Sequence, residues 1–173
     1  KTGFVGTPLL LPALAQAGLE KTALRLLMQE DCPGWLYQVK LGATTVWERW
    51  DSVRPDGTMS DTGMNSLNHY ANGSVLEWMY GWIGGIRQLP GDAGYGNVLI
   101  NPLVCREIGH AFMVFDTAQG RYEIQWELRD GDILYLRCVI PFGAKARIRF
   151  PYAGEEMLRQ YGESVERKAG EYE

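Results

Sequence analysis

The sequence predicts a two-part fold, α then β, with helices in the first half and an antiparallel β-sandwich in the second. Three observations carry this expectation. Apolar residues recur at helical spacing to about residue 83, the cluster Pro90, Gly91, Gly94 and Gly96 interrupts the chain, and beyond it the apolar pattern becomes period two. The expected boundary falls between residues 88 and 89, giving a helical region over residues 1–88 and a β region over residues 89–173.

In the helical region, Thr7 followed by Pro8 reads as an N-cap with proline at the first helical position, and Gly18 as the stop. Leu19 to about Glu30 reads as a second helix, its apolar Leu19, Ala23, Leu26 and Leu27 opposed by Glu20, Lys21, Arg25 and Gln29. So short a connection implies an antiparallel helical hairpin. Pro33–Lys40 is consistent with a short third helix, whereas the β-branched and aromatic Ala43–Trp50 reads as irregular or extended. Asp51–Asn65 is rich in Asp, Gly, Ser, Thr and Pro and is expected to be a long loop, a kind of segment that often carries function. Ser66 then reads as the cap of the longest helix, to about Trp82. That helix is apolar nearly all round and calls for burial on most sides, more than two amphipathic helices supply.

In the β region, Tyr122, Ile124, Trp126 and Leu128 alternate with polar residues, as do Ile133, Tyr135 and, more loosely, Val139. Asp130-Gly131 between the two runs is the pair preferred in a tight type I′ hairpin. Val98–Ile100, His110–Phe115 and the alternation Ala146, Ile148, Phe150 suggest three more strands. Glu173 stands where a closing strand is expected, so the β region reads as cut short.

Composition narrows the chemistry. Seventeen Lys and Arg against 21 Asp and Glu give a net charge near −4, with the cations scattered, which argues against nucleic acid as a partner. No apolar run approaches the roughly 20 residues of a membrane-spanning helix. Cys32, Cys105 and Cys138 are far apart and read as free, buried thiols. Two histidines without carboxylates at ligand spacing predict no metal site, and neither a phosphate loop, a dinucleotide fingerprint nor a serine elbow is present; no cofactor is expected. The chain opens Lys-Thr-Gly-Phe, without Met or a leader, and reads as a segment of a longer protein.

The densest chemical signal is Trp47-Glu48-Arg49-Trp50-Asp51, acids interleaved with indoles. Sugar rings stack on aromatic faces while their hydroxyls pair with carboxylates and guanidinium groups, so the pattern suits carbohydrate. On pattern alone it describes, more often than a sugar site, two core tryptophans beside a local ion pair. Glycoside hydrolysis usually needs two carboxyl groups, and Glu48 qualifies as one. Asp51, the nearest other acid, reads rather as a turn residue. His69 in Ser66-Leu67-Asn68-His69-Tyr70 is either a core histidine or a group facing a cavity at a helix start.

Two segments, GATTVWERWDS at Gly42–Ser52 and SLNHYANGSVLEWMYGWIGGI at Ser66–Ile86, closely resemble the bacterial α-L-rhamnosidases of glycoside hydrolase family 78 in order and spacing. PGWLYQVKLG before them is similar as well, and the likeness extends across the chain. The resemblance implies an (α/α)6 barrel followed by a small β-sandwich, of which this chain holds the last barrel helices. It implies an inverting hydrolysis of terminal α-L-rhamnosyl residues, with Glu48 as general base, His69 lining the sugar subsite and Trp47 neighbouring it. The general acid of the family lies on an upstream Arg-Asp-Glu-Arg motif that is absent here, so the chain alone is expected to be inactive. Its expected partners are a rhamnose-containing glycoside and, for its apolar helix, the missing N-terminal barrel segment or a second copy. A non-catalytic carbohydrate-binding or interaction module, or a different (α/α)6 glycosidase, is the alternative.

Overall fold

The computed structural model describes residues 2–61, 63–130, 133–150 and 164–172. It divides into two compact units, Lys1–Trp78 and Met79–Glu173.

The first unit opens with helices α1 (Thr7–Gln16) and α2 (Glu20–Leu27), which pack on each other. Gly6 rather than Thr7 is the residue before α1, and Thr7 instead turns its hydroxyl to Thr2, 2.9 Å from the Thr2 hydroxyl. Gly18 ends α1 as expected. At φ 76° its N–H reaches the Ala15 carbonyl at 3.1 Å, and the Leu19 N–H reaches Leu14 at 2.9 Å, the paired bonds of a Schellman stop. α2 closes three residues earlier than its pattern suggests, and its buried face is Ala23, Leu24 and Leu27, with Leu19 left half exposed. The third helix, α3, is Trp35–Lys40.

From Ala43 to Tyr70 the described residues hold no regular helix or strand, only an isolated bridge between Val53 and Met59, in line with the expected irregular segment and long loop. The expected helix from Ser66 is corrected. Ser66–Tyr70 is not helical, and the helical path begins as a 3₁₀ turn at Ala71–Ser74, becomes α over Val75–Trp78 (α4) and widens to a π turn at Met79–Ile83. The Ser66 hydroxyl accepts instead from the Asn68 N–H at 3.1 Å, a local turn that competes with a helix cap.

The second unit is one six-stranded sheet: β1 (Ile86–Gln88), β2 (Asn97–Ile100), β3 (His110–Thr117), β4 (Gly120–Arg129), β5 (Ile133–Arg149) and β6 (Ser164–Tyr172). It is mixed, because β2 pairs parallel with β5 while the other pairings are antiparallel, which corrects the expectation of a wholly antiparallel β region. Alternation reports which face a residue buries and says nothing of strand direction. The runs at Ile133–Val139 and Ala146–Ile148, expected as two strands, are one strand of 17 residues.

That long strand organises the sheet. Its residues 133–139 pair with β4 and 145–148 with β2, while β6 pairs with residues from both stretches. A strand has two edges, so β4 and β2 follow one another along one edge and β6 occupies the other. The changeover coincides with an irregularity between Ile140 and Lys145, where Pro141 brings no N–H and Gly143 has φ 84°. Gly131 and Asp132 lie outside the described residues. Asp130 has φ 43°, and the register Arg129↔Ile133 leaves three residues between the strands, one more than a tight two-residue turn.

Val98, Ile100, Tyr122, Ile124, Cys138, Ile140, Ala146 and Ile148 form the core of this unit. Trp126, fully buried, donates from its indole to the Ile83 carbonyl at 2.7 Å, and the Tyr122 hydroxyl donates to Tyr95 O at 2.6 Å. All three cysteines are free thiols. Only Cys138 is buried; Cys32 is exposed and Cys105 partly so, which corrects the expectation of three buried thiols. Among the described residues no helix is long and apolar enough to cross a membrane.

Candidate active site

The residues singled out in the sequence lie in the first unit, on two irregular segments tied together through their backbones. The Glu48 N–H donates to Ser66 O at 2.9 Å and the His69 N–H to Val46 O at 2.8 Å. The Thr45 hydroxyl adds a bond to Leu67 O. Glu48 and His69, 21 positions apart, are thus held on neighbouring stretches of chain.

Glu48 is partly buried, and among the described residues its carboxylate makes no hydrogen bond or ion pair. A carboxylate so placed keeps its acceptor sites for water or a ligand. His69 takes the Ala71 N–H on its Nδ1 at 3.2 Å, so in the neutral ring the proton sits on Nε2, a donor with no partner among the described residues. Its ring is stacked between Phe4, at 4.9 Å, and Tyr70, at 5.2 Å. A pocket of about 440 Å³ contains His69 with Phe4, Val5, Pro8 and Tyr70, but neither Glu48 nor Trp47.

Trp47 is only 4% exposed and offers little open face. Its backbone does more: the N–H donates to Gln38 Oε1 at 3.2 Å, and the carbonyl accepts from Asn72 Nδ2 at the same distance. Asn72, itself buried, also reaches Glu48 O at 3.5 Å and accepts the Trp35 indole N–H at 2.8 Å on its own carbonyl. Trp35 meets Trp50 edge-on at 5.0 Å. Of the two readings left open for the tryptophans, Trp47 is therefore core, while Trp50 remains partly exposed.

Asp51 lies in a turn, and the next residue, Ser52, anchors it. Fully buried, its hydroxyl donates to Asn65 Oδ1 at 2.6 Å and accepts the Arg49 N–H at 3.1 Å, and Asn65 Nδ2 returns a bond to Ser52 O at 3.1 Å. Gln38, Ser52, Asn65 and Asn72 thus hold the loop that carries Glu48. None stood out in the sequence, since short polar residues in loops are ordinary, although Asn72 within an apolar run was a visible break in pattern. Among the described residues no group of three or more His, Cys, Asp or Glu is placed to hold a metal ion.

The chain is similar to known proteins along nearly all its length. Residues 1–83 match the bacterial α-L-rhamnosidase six-hairpin glycosidase domain, and residues 85–164 the bacterial α-L-rhamnosidase C-terminal domain. An α-L-rhamnosidase of Streptomyces avermitilis is 45% identical over 150 residues, 87% of this chain and 14% of that protein. One from an Alteromonas species is 34% identical over the whole chain, which spans 19% of it. Among solved structures, the S. avermitilis α-L-rhamnosidase complexed with L-rhamnose superposes with a TM-score of 0.80 over 87% of this chain and 14% of that one. The native α-L-rhamnosidase of Aspergillus terreus, 34% identical, superposes with a TM-score of 0.88 over 99% of this chain and 19% of its own. The chain therefore belongs to the bacterial α-L-rhamnosidase family, with residues 1–83 in its six-hairpin glycosidase domain and 85–164 in its C-terminal domain.

Proposed function

We propose that this chain is the C-terminal portion of an inverting α-L-rhamnosidase and that Glu48 is its general base. The observation that carries the reading is the unpaired Glu48 carboxylate on a loop fastened to the His69 segment by the Glu48–Ser66 and Val46–His69 backbone bonds. The likeness to an α-L-rhamnosidase complexed with L-rhamnose supports the substrate, a terminal α-L-rhamnoside. That the chain spans 14–19% of its relatives supports a longer parent, in which helices α1 to α4 belong to an (α/α)6 barrel.

In this reading the Glu48 carboxylate takes a proton from a water lying beneath the anomeric carbon. The water oxygen forms its bond to that carbon from the face opposite the leaving group, as the glycosidic C–O bond breaks and a carboxylic acid from the upstream segment protonates the departing oxygen. An inverting pair stands roughly 6.5–9.5 Å apart to admit the water, so the acid belongs across the barrel from Glu48. The Nε2–H of His69 donates to a sugar hydroxyl, and Phe4 and Tyr70 hold its ring. Trp47, a neighbour of the subsite in this reading, precedes Glu48 in the chain and is held by its backbone bonds to Gln38 and Asn72.

The test is hydrolysis of an aryl α-L-rhamnoside. A protein that joins this chain to its upstream barrel segment should be active and release rhamnose first as the inverted anomer, seen by NMR before mutarotation, while the 173-residue chain alone should be inactive. First release of the retained anomer, or no activity from the longer protein, would refute the proposal.

A further inference from the structure

Glu48 stands on a segment without regular helix or strand, so its direction is set by what the neighbouring peptide groups bond to. Three consecutive peptides run through this point, and both polar ends of each are held. In the first, the Val46 carbonyl accepts the His69 N–H at 2.8 Å and the Trp47 N–H donates to Gln38 Oε1 at 3.2 Å. In the second, the Trp47 carbonyl accepts from Asn72 Nδ2 at 3.2 Å and the Glu48 N–H donates to Ser66 O at 2.9 Å. In the third, the Glu48 carbonyl faces Asn72 Nδ2 at 3.5 Å and the Arg49 N–H donates to Ser52 Oγ at 3.1 Å. Peptide groups are planar, so fixing the planes on either side of a Cα also fixes the direction of its Cα–Cβ bond.

Asn72 differs from the other partners, because it reaches both of the peptides that flank the Glu48 Cα. Two carbonyl oxygens converge on one terminal atom of its side chain; that atom is therefore the nitrogen, whose two hydrogens can serve one carbonyl each. The side chain is buried, which keeps water from competing for either carbonyl. Asn72 also lies in the 3₁₀ turn Ala71–Ser74, three positions after His69, whose Nδ1 accepts the Ala71 N–H at 3.2 Å. One turn of chain thus holds the His69 ring and, through the amide, the peptides of Glu48.

We propose that Asn72 is a positioning residue, whose amide sets the peptide planes on both sides of Glu48, aims the carboxylate and keeps it in register with the His69 ring. The inference rests on the reading of Glu48 as general base and His69 as a donor to the sugar. Asn72 acts through Glu48 and not on the substrate. Proton transfer from a water requires the carboxylate to be held within about 0.5 Å of its productive place, a precision that a loop has only where its backbone is bonded throughout. A purely structural amide would behave differently: its loss would lower the urea midpoint and leave the kcat of the folded enzyme unchanged.

The test is the kinetics of Asn72→Ala, Glu48→Ala and their double variant in the protein that joins this chain to its upstream barrel segment, on an aryl α-L-rhamnoside, with rates referred to the folded fraction measured by near-ultraviolet circular dichroism. In Asn72→Ala, kcat should fall by about tenfold to a hundredfold with KM within a few-fold, since a misplacement of about 1 Å costs up to about 10² in rate. The Trp35 indole bonds the backbone carbonyl of residue 72 and is kept in this variant. Glu48→Ala has no carboxylate left to aim, so the double variant should be no more than about twofold slower than Glu48→Ala alone. Asn72→Ser, which also lacks the amide and retains a polar group, carries the comparison if Asn72→Ala does not fold. Unchanged kcat in the folded Asn72 variant, or losses that multiply in the double variant, would overturn the proposal and leave Glu48 as the base. Near-normal kcat in Glu48→Ala would instead strike the function reading, and the role of Asn72 with it.

Discussion

At the scale of single residues, the candidate site depends on a few buried polar groups more than on its tryptophans. Asn72 bonds the carbonyls of Trp47 and Glu48 and receives the Trp35 indole on its own carbonyl, so it joins three segments. Asn72→Ala removes the amide and leaves the Trp47 carbonyl without that donor in a buried setting. The expected cost is about 1–3 kcal/mol, read as a lower urea midpoint at unchanged m-value in the protein that contains the complete barrel. A change below a few tenths of a kcal/mol would show that water replaces the amide freely. The sequence displayed Glu48 and His69 because acids and histidine among aromatics form a visible pattern. It hid Ser52, Asn65 and Gln38 because their role depends on burial and on which backbone groups lie opposite, and neither is written in residue type.

At the scale of elements, the strands were legible where burial alternates and the helices where caps are chemical. The Gly18 stop and the buried Tyr122, Ile124 and Trp126 of β4 follow directly from the sequence pattern. The Ser66 helix start does not, because the Ser66 hydroxyl closes a local turn with Asn68 while Glu48 and His69 exchange backbone bonds with the neighbouring segment. Those bonds fix 66–70 in an irregular path, and tertiary contacts override a cap signal. The parallel β2–β5 pairing was illegible for a different reason: alternation is the same for either direction, and β3 and β4 intervene between the partners. The sheet core also sets an alkaline limit. Burial pushes the Tyr122 hydroxyl up from 10.0 to about 12, with the Asp92 charge adding to it, and burial pushes the Cys138 thiol from 9.0 to about 12. Both groups bind their protons more tightly when folded, so their contribution is complete below pH 9 and is lost as pH rises from there through about 12. Denaturant midpoints for the β unit should therefore be flat with respect to these groups from about pH 7 to 8.5 and fall above about pH 9 to 10, and Cys138→Ala should shift the onset upward. A midpoint constant to about pH 11 would contradict the burial of both groups.

At the scale of the whole molecule, the first unit is rich in exposed apolar side chains. Val5, Leu9, Val39, Met64 and Tyr70 are each more than 60% exposed, and Leu76 of α4 is 55% exposed. Apolar surface of this extent usually marks a contact with another segment. The chain alone should accordingly bind ANS and sediment as associated species, whereas a protein that also supplies the upstream barrel segment should do neither; a stable, ANS-silent monomer of the chain would argue that no further barrel segment is needed. The α-then-β division was legible from the change of period, whereas the proposed barrel context rests on the resemblance of two motifs, because a few helices do not by themselves specify how many more complete a ring.

The central claim, Glu48 as the base of an inverting rhamnosidase, is tested most directly by the kinetics of Glu48→Gln in the longer enzyme on an aryl α-L-rhamnoside. General-base assistance is typically worth about 10² to 10⁴ in rate, so kcat should fall by at least that range while KM stays within a few-fold. His69→Ala should differ, with an effect on KM at least as large as on kcat, since a hydroxyl donor acts in binding. Azide added to Glu48→Ala should attack the anomeric carbon from the face the water used and yield a glycosyl azide of inverted configuration. Near-normal kcat in Glu48→Gln would contradict the account and direct the same measurement to Asp51.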